Sequence, residues 1–186
     1  FTMGWMPLLL RRAARVPGAV RVVNLPESWR PTAELTKRLG GLEPRRRMIS
    51  FATEPLTRWH RRRSRRAEAH RDSVAARPTV VVWPDTFTNF TATGPGQAAI
   101  EVLEAMGYRV LLPMADVCCG LTWHSTGQLD MTQRVLRQTL DVLEPFLDAG
   151  YPILGLEPSC TEMPTHESVA LLPADARARA LSGLTT

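Results

Sequence analysis

The chain has 186 residues, 44% of them hydrophobic, which is enough for one ordinary domain with an appendage. Its formal charge of +5 hides a split: residues 1–77 carry 18 Lys and Arg against 6 Asp and Glu, and residues 78–186 carry 5 against 12. No run approaches the roughly 18 apolar residues of a membrane span, and three cysteines, two of them adjacent, argue for a reduced, cytosolic setting rather than an extracellular disulfide framework.

Phe1-Thr2-Met3-Gly4-Trp5 is not an initiator followed by a signal peptide. Leu8-Leu9-Leu10 is too short for the apolar core of one, and the basic residues follow it. The chain is therefore expected to begin inside a longer protein. Residues 1–30 read as a broken helical segment with Trp5, Leu8, Leu9, Ala13 and Val16 on one face and Arg11, Arg12 and Arg15 opposite. Pro7, Pro17 and Pro26 cut it into pieces. A further turn or two over Ala33 to Leu39 ends at Gly40-Gly41. Such helices suit acidic lipid headgroups or a neighbouring domain; the short, proline-broken face favours the neighbour.

Arg45-Arg46-Arg47 and Arg61-Arg62-Arg63-Ser64-Arg65-Arg66 follow. Arginine neutralises phosphate, but single-strand binding also wants interleaved aromatics, and only Phe51 and Trp59 lie near. A solvated basic linker over residues 61–77, able to dock on the acidic second half, is the expectation, with no nucleic-acid partner.

From Pro78 strands and helices alternate. Thr79 to Trp83 is a short β-branched run suited to a buried parallel strand. A loop over Pro84 to Thr93 leads to a helix opened by Gly94-Pro95, burying Ala98, Ile100, Val102, Leu103 and Met106 and stopping at Gly107. Tyr108 to Pro113 is the second strand. A helix over about 130–149 places Val135, Leu136, Leu140, Leu143 and Leu147 at helical spacing, and Gly150 closes it. Pro152 to Leu156 is the third strand, and helices near Thr165–Leu172 and Ala174–Leu181 finish the chain. The pattern predicts an α/β fold: a short parallel sheet with βαβ crossovers over residues 78–186, preceded by a basic helical extension over 1–60.

Loops at the carboxyl ends of parallel strands share one edge, where ligands collect. Asp85 follows the first strand, Val117-Cys118-Cys119-Gly120 the second and Pro158-Ser159-Cys160 the third. Adjacent side chains on an extended chain diverge, so a working Cys118-Cys119 pair requires a turn, and Gly120 permits close backbone approach. Three thiols at one mouth suit a soft metal or an iron–sulfur cluster, against the plainer reading of small buried residues that pack. Asp85 serves there as an iron ligand, as a proton acceptor or as a cap of its own loop. His124 lies on the cysteine loop, with His166 and Glu162 near Cys160.

Val117-Cys118-Cys119-Gly120 after Val110-Leu111-Leu112-Pro113, together with Glu157-Pro158-Ser159-Cys160, resembles the cysteine-rich CCG domain. That family includes the cysteine-rich subunit of heterodisulfide reductase, the iron–sulfur subunits of glycolate oxidase and anaerobic glycerol-3-phosphate dehydrogenase, and lactate-utilisation proteins. Trp83-Pro84-Asp85-Thr86-Phe87-Thr88-Asn89, Glu101 to Ala105 and Gly127-Gln128-Leu129-Asp130 resemble the C-terminal part of bacterial proteins that fuse an FAD-linked oxidase to an iron–sulfur region. The resemblance implies electron transfer from a flavin that oxidises a D-lactate- or glycolate-like 2-hydroxy acid toward a quinone or another acceptor. It implies Cys118, Cys119 and Cys160 as ligands of a cluster, of 4Fe–4S type, beside Gly120. The family pattern departs at two places: Asp85-Thr86 stands where a cysteine is expected, and the final C-x-x-C reads Cys160-Thr161-Glu162-Met163. Such a cluster usually takes four thiolates, leaving one iron here for Asp85, His124, water or a partner. The upstream C-x-x-C-x-x-C motif and a Gly-rich flavin region are missing, so FAD belongs to a partner or a missing domain and the chain is not a complete enzyme. The alternative is a degenerate, cluster-free scaffold for a flavoprotein. Either form is expected in the cytoplasm, at most peripheral on the inner face of the membrane.

Overall fold

Four consecutive β-branched side chains make β1 (Thr79–Val82), because their restricted χ1 angles fit a pleated, buried strand. It is the centre of a parallel sheet with β2 (Arg109–Leu111) on one side and β3 (Ile153–Leu154) on the other, in the order β2-β1-β3. Val80 pairs with Val110 and Val81 with Ile153. The structure, a computed structural model, describes residues 2–16, 18–28, 30–39, 43, 45, 49–68 and 77–186. Pro17, Gly40-Gly41, Arg46-Arg47 and residues 69–76 of the expected linker lie outside the described residues.

Side chains of β1 alternate between two cores. Val81 and Trp83 face α8 (Leu129–Asp148) and α11 (Ala176–Leu184), joining Leu136, Leu140, Leu143 and Leu181. Val80 and Val82 face α6 (Thr93–Ala105) and α4 (Leu56–Glu68), joining Ile100, Val110 and Leu56. The five apolar positions expected to be buried on α8 are all buried, since its 3.6-residue stripe meets the sheet. On α6 the expectation fails for Ala98, Val102 and Met106, which are exposed, the last two by 58% and 68%. That helix seats on the sheet through Ile100 and Gly96, where an added Cβ would collide with Leu56 and Thr88. Ala98, Val102 and Met106, four apart, lie on the helical face opposite Gly96, Ile100 and Leu103, so the helix cannot bury both sets.

The basic N-terminal part forms α1 (Met6–Arg15), α2 (Ala19–Ser28) and α3 (Arg30–Leu39) after a 3₁₀ turn over Thr2–Trp5. Pro7 sits in the first turn of α1, where its missing N–H costs nothing, and α2 continues through Pro26. The expected apolar face is only partly used. Pro7 and Leu10 are the buried positions of α1, while Leu9 and Val16 are 63% and 57% exposed. The helix turns its buried stripe to α5 (Thr86–Phe90) of this same chain. Trp5 meets Trp123 edge-on at 6.3 Å, and Thr122 donates to the carbonyl of Gly4. Asn24 on α2 pairs with both backbone groups of Phe51 at 2.9 Å.

Arg61 to Glu68, expected as the start of a linker, is the second half of α4. Leu56, Trp59 and His60 give that helix an apolar stripe, which outweighs the solvated charges opposite. Arg63 stacks over Trp59 at 5.5 Å and pairs with Glu104 on α6.

Candidate functional site

The carboxyl ends of all three strands open on one cavity of about 310 Å³. Thr86 and Phe87 after β1, Cys118 and Cys119 after β2, and Glu157, Ser159 and Cys160 after β3 line it. Pro7 of α1 and Leu121 and Thr122 of α7 (Leu121–His124) complete its wall. The sequence-predicted convergence of the three cysteines is therefore what the backbone produces. All three are free and buried.

The cysteine loop is held through its backbone groups by two side chains. Thr139, buried on α8, accepts from the Cys118 N–H at 3.0 Å and donates to the Cys118 carbonyl at 2.9 Å. Arg11 donates to the carbonyl of Val117 at 2.7 Å. Gly120 takes φ of +81°, and its carbonyl then accepts the N–H groups of Trp123 and His124 as α7 begins. A side chain there would be strained and would sit 3.1 Å from Thr132. The turn sends Cys118 toward Trp123 and Val135, and Cys119 toward Trp83 and Cys160.

Cys160 is fixed by the short α9 (Pro158–Glu162). Glu157 caps it, accepting the Cys160 N–H at 2.6 Å and the Ser159 hydroxyl at 3.1 Å. Burial works against ionisation of Glu157, but these donors hold its carboxyl below the usual range. An added Cβ at Gly155 would collide with Thr161, so glycine lets β3 deliver α9 this closely. The helix then widens into a π-turn over Met163–Glu167 before α10 (Ser168–Leu171).

Cys118 and Cys119 are held as neutral thiols. A hydrogen bond with Cys119, reinforced by burial, pushes Cys118 well above the ordinary thiol value. For Cys119 the Cys118 contact pulls downward, but a hydrogen bond with Cys160 and burial outweigh it and push the thiol up to about 12. The Thr86 hydroxyl donates to the Cys118 sulfur at 3.8 Å.

Asp85 and His124 are not among the residues lining the cavity. Asp85 is buried as the cap of α5, one carboxylate oxygen accepting from Phe87 and Thr88 N–H at 2.8 and 3.0 Å. Its other oxygen has no partner among the described residues. His124 lies 3.9 Å from Glu167, and His166 pairs with Glu162 at 3.0 Å on the surface. Sequence reasoning missed Thr139. Its signal was a polar residue on the apolar stripe of α8, between Leu136 and Leu140.

Among the described residues no group of three or more His, Cys, Asp or Glu side chains is arranged to hold a metal ion. Three soft thiol donors line the mouth, Cys119 in hydrogen-bond contact with both Cys118 and Cys160, and thiols are the donor chemistry of soft-metal and iron–sulfur groups. Buried indole N–H groups of Trp83 and Trp123, each packed in a cluster with one or more of the cysteines, lack acceptors among the described residues.

The chain is 25% identical over 144 residues to a subunit of the anaerobic glycerol-3-phosphate dehydrogenase of Escherichia coli (strain K12), covering 75% of this chain and 34% of that protein. It is 29% identical over 86 residues to lactate utilization protein A of Exiguobacterium sp., covering 46% of this chain and 34% of that one. Against lactate utilization protein A of Bacillus thuringiensis it is 34% identical over 71 residues, covering 38% and 28%. The chain spans about a third of the length of these relatives. No family model matches it, and no solved structure does. No helix among the described residues is long and apolar enough to cross a membrane.

Proposed function

We propose that this chain is the iron–sulfur electron-transfer module of a flavin-linked 2-hydroxyacid oxidoreductase of D-lactate or glycolate type. The observation that carries the reading is the convergence of Cys118, Cys119 and Cys160 on one cavity from two different strand ends. Similarity to a dehydrogenase subunit and to lactate utilization proteins supports it. Cys118, Cys119 and Cys160 would hold the cluster, which supplies one-electron transfer when bound. A fourth ligand comes from a partner, from water or from this chain's own carboxylates. Asp85 carries a buried unpartnered oxygen, and Glu157 lines the cavity.

The chain's own groups then have definite tasks. Thr139 and Gly120 set the loop so that both adjacent thiols reach the mouth. Glu157 orients Cys160 through its N–H. The apolar wall of Pro7, Phe87 and Leu121 limits water at the thiols. Ligation requires thiolates, so cluster binding releases protons from groups held neutral here. FAD belongs to a partner subunit or domain, and a quinone or another carrier accepts the electrons. Free thiols support a cytoplasmic, reducing setting, with any membrane contact peripheral.

A second reading, a cluster-free scaffold for the flavoprotein, is favoured by Asp85-Thr86 and Met163 standing where the resembled family pattern carries further cysteines. Iron and acid-labile sulfide per chain after anaerobic reconstitution separate the two. Near-stoichiometric iron with a broad absorption band supports the electron-transfer module. A folded, colourless, iron-free chain supports the scaffold.

A further inference from the structure

A second cavity, of about 300 Å³, lies between α1 and α4 and has a different chemistry. Arg11 and Arg15, four apart on α1, and Arg58 and Arg61, three apart on α4, contribute to its lining. Asp116 is the one carboxylate among the lining residues, and it pairs with Arg15 at 2.7 Å. The lining therefore carries four arginines and one carboxylate. Arg11 spends a terminal nitrogen on the Val117 carbonyl, yet its buried Nε has no acceptor among the described residues. Buried Pro55 and Phe90 provide apolar lining.

Like charges set this close repel one another unless an anion sits between them, and arginine forks match phosphate and carboxylate oxygens. The apolar lining adds a surface for a carbon body, and the volume is at the small end of the range for organic ligands. We propose that this cleft binds a small organic oxyanion, its phosphate or carboxylate gripped by Arg11, Arg58 and Arg61 and its carbon body resting on Phe90 and Pro55. The ligand would touch the loop that carries the thiols, since Met114, Ala115 and Asp116 line the cleft and Arg11 grips Val117. The proposal is independent of cluster binding.

The test is calorimetric titration of the full chain at low ionic strength with phenyl phosphate and, separately, with benzoate, which share a ring and differ in the anion. Saturable one-to-one binding of either is expected, weakened at least about tenfold in Arg58→Ala/Arg61→Ala and unchanged in Arg137→Ala on the exposed side of α8. Binding of phenyl phosphate alone assigns a phosphorylated ligand, benzoate alone a carboxylate, and both a site that reads either. Lack of saturation by both probes up to ~10 mM overturns the proposal, as does equal binding by the double variant. Should the alanine pair fail to melt cooperatively, Arg58→Gln/Arg61→Gln, which keeps length and loses charge, is held to the same criteria. Titrating the iron-free chain keeps the outcomes apart: binding or its absence there decides this cleft alone, and the iron count decides the electron-transfer reading.

Discussion

The thiol mouth and the basic cleft share one loop, residues 114–119, and are built by opposite means. The mouth is made by topology: strand ends bring the thiols together, and the side chains of Thr139 and Glu157 fix the backbone of Cys118 and Cys160 by hydrogen bonds. The cleft is made by side-chain charge, with two helix faces from distant parts of the chain setting four arginines against one carboxylate. The difference teaches where each is vulnerable. Damage to the mouth travels through folding and backbone geometry, whereas damage to the cleft changes charge and leaves the fold standing.

The largest effect that would break this contrast is in the core under the mouth. Leu140→Ala removes a fully buried side chain of α8 and is expected to cost about 2–5 kcal/mol in urea unfolding. A near-wild-type midpoint would show that α8 does not support the mouth. Next comes Thr139→Val, which keeps the shape but leaves the buried Cys118 N–H and carbonyl without their partner. A loss of about 1–3 kcal/mol is expected, together with faster alkylation of the cysteines by iodoacetamide. If neither changes, the loop is held by something else.

On α4 the expected effects are smaller. Burial, opposed by the charge of Glu104, keeps the folded pKa of His60 below its ordinary value, so the unfolded chain takes up that proton first. The stabilisation is complete above pH about 6.5 and is lost as pH falls toward the folded value. The melting temperature should therefore drop on acidification from pH 7.5 to 5.5, with a shallower drop in His60→Gln. The smallest effect belongs to the cleft itself: Arg15→Ala removes an ion pair whose arginine is 73% exposed and should change stability by less than about 1 kcal/mol. A larger loss would mean that the cleft, like the mouth, is structural.

Much of the fold could be read from the residues. Thr79 to Trp83 announces a buried strand, and the stripe from Val135 to Leu147 announces α8. Parallel strands then oblige the two cysteine segments to meet at one edge, although they are far apart in the chain. What stayed hidden has one cause: it depends on which neighbour a helix finds. The arginines of α4 outnumber its apolar residues, so residues 61–68 read as the start of a linker until the sheet supplied a surface for Leu56 and Trp59 of the same helix. Val102 and Met106 share a face with Ala98, opposite the stripe of Gly96, Ile100 and Leu103 that seats on the sheet, so they stay in solvent. Thr139 is read as an exception on an apolar face unless the unpaired backbone of Cys118 is known to lie opposite. The cleft could not be inferred at all, because its arginines come from helices separated by more than forty residues.

The central claim is that three thiols from two strand ends form one binding group, and Cys160→Ser tests it most directly. Wild type and variant are reconstituted side by side under anaerobic conditions, and iron and acid-labile sulfide are counted per folded chain. Near-stoichiometric iron is predicted in the wild type and its loss in Cys160→Ser, with the variant's melting temperature nearly unchanged. Equal iron in both chains, or none in a folded wild type, would contradict the claim.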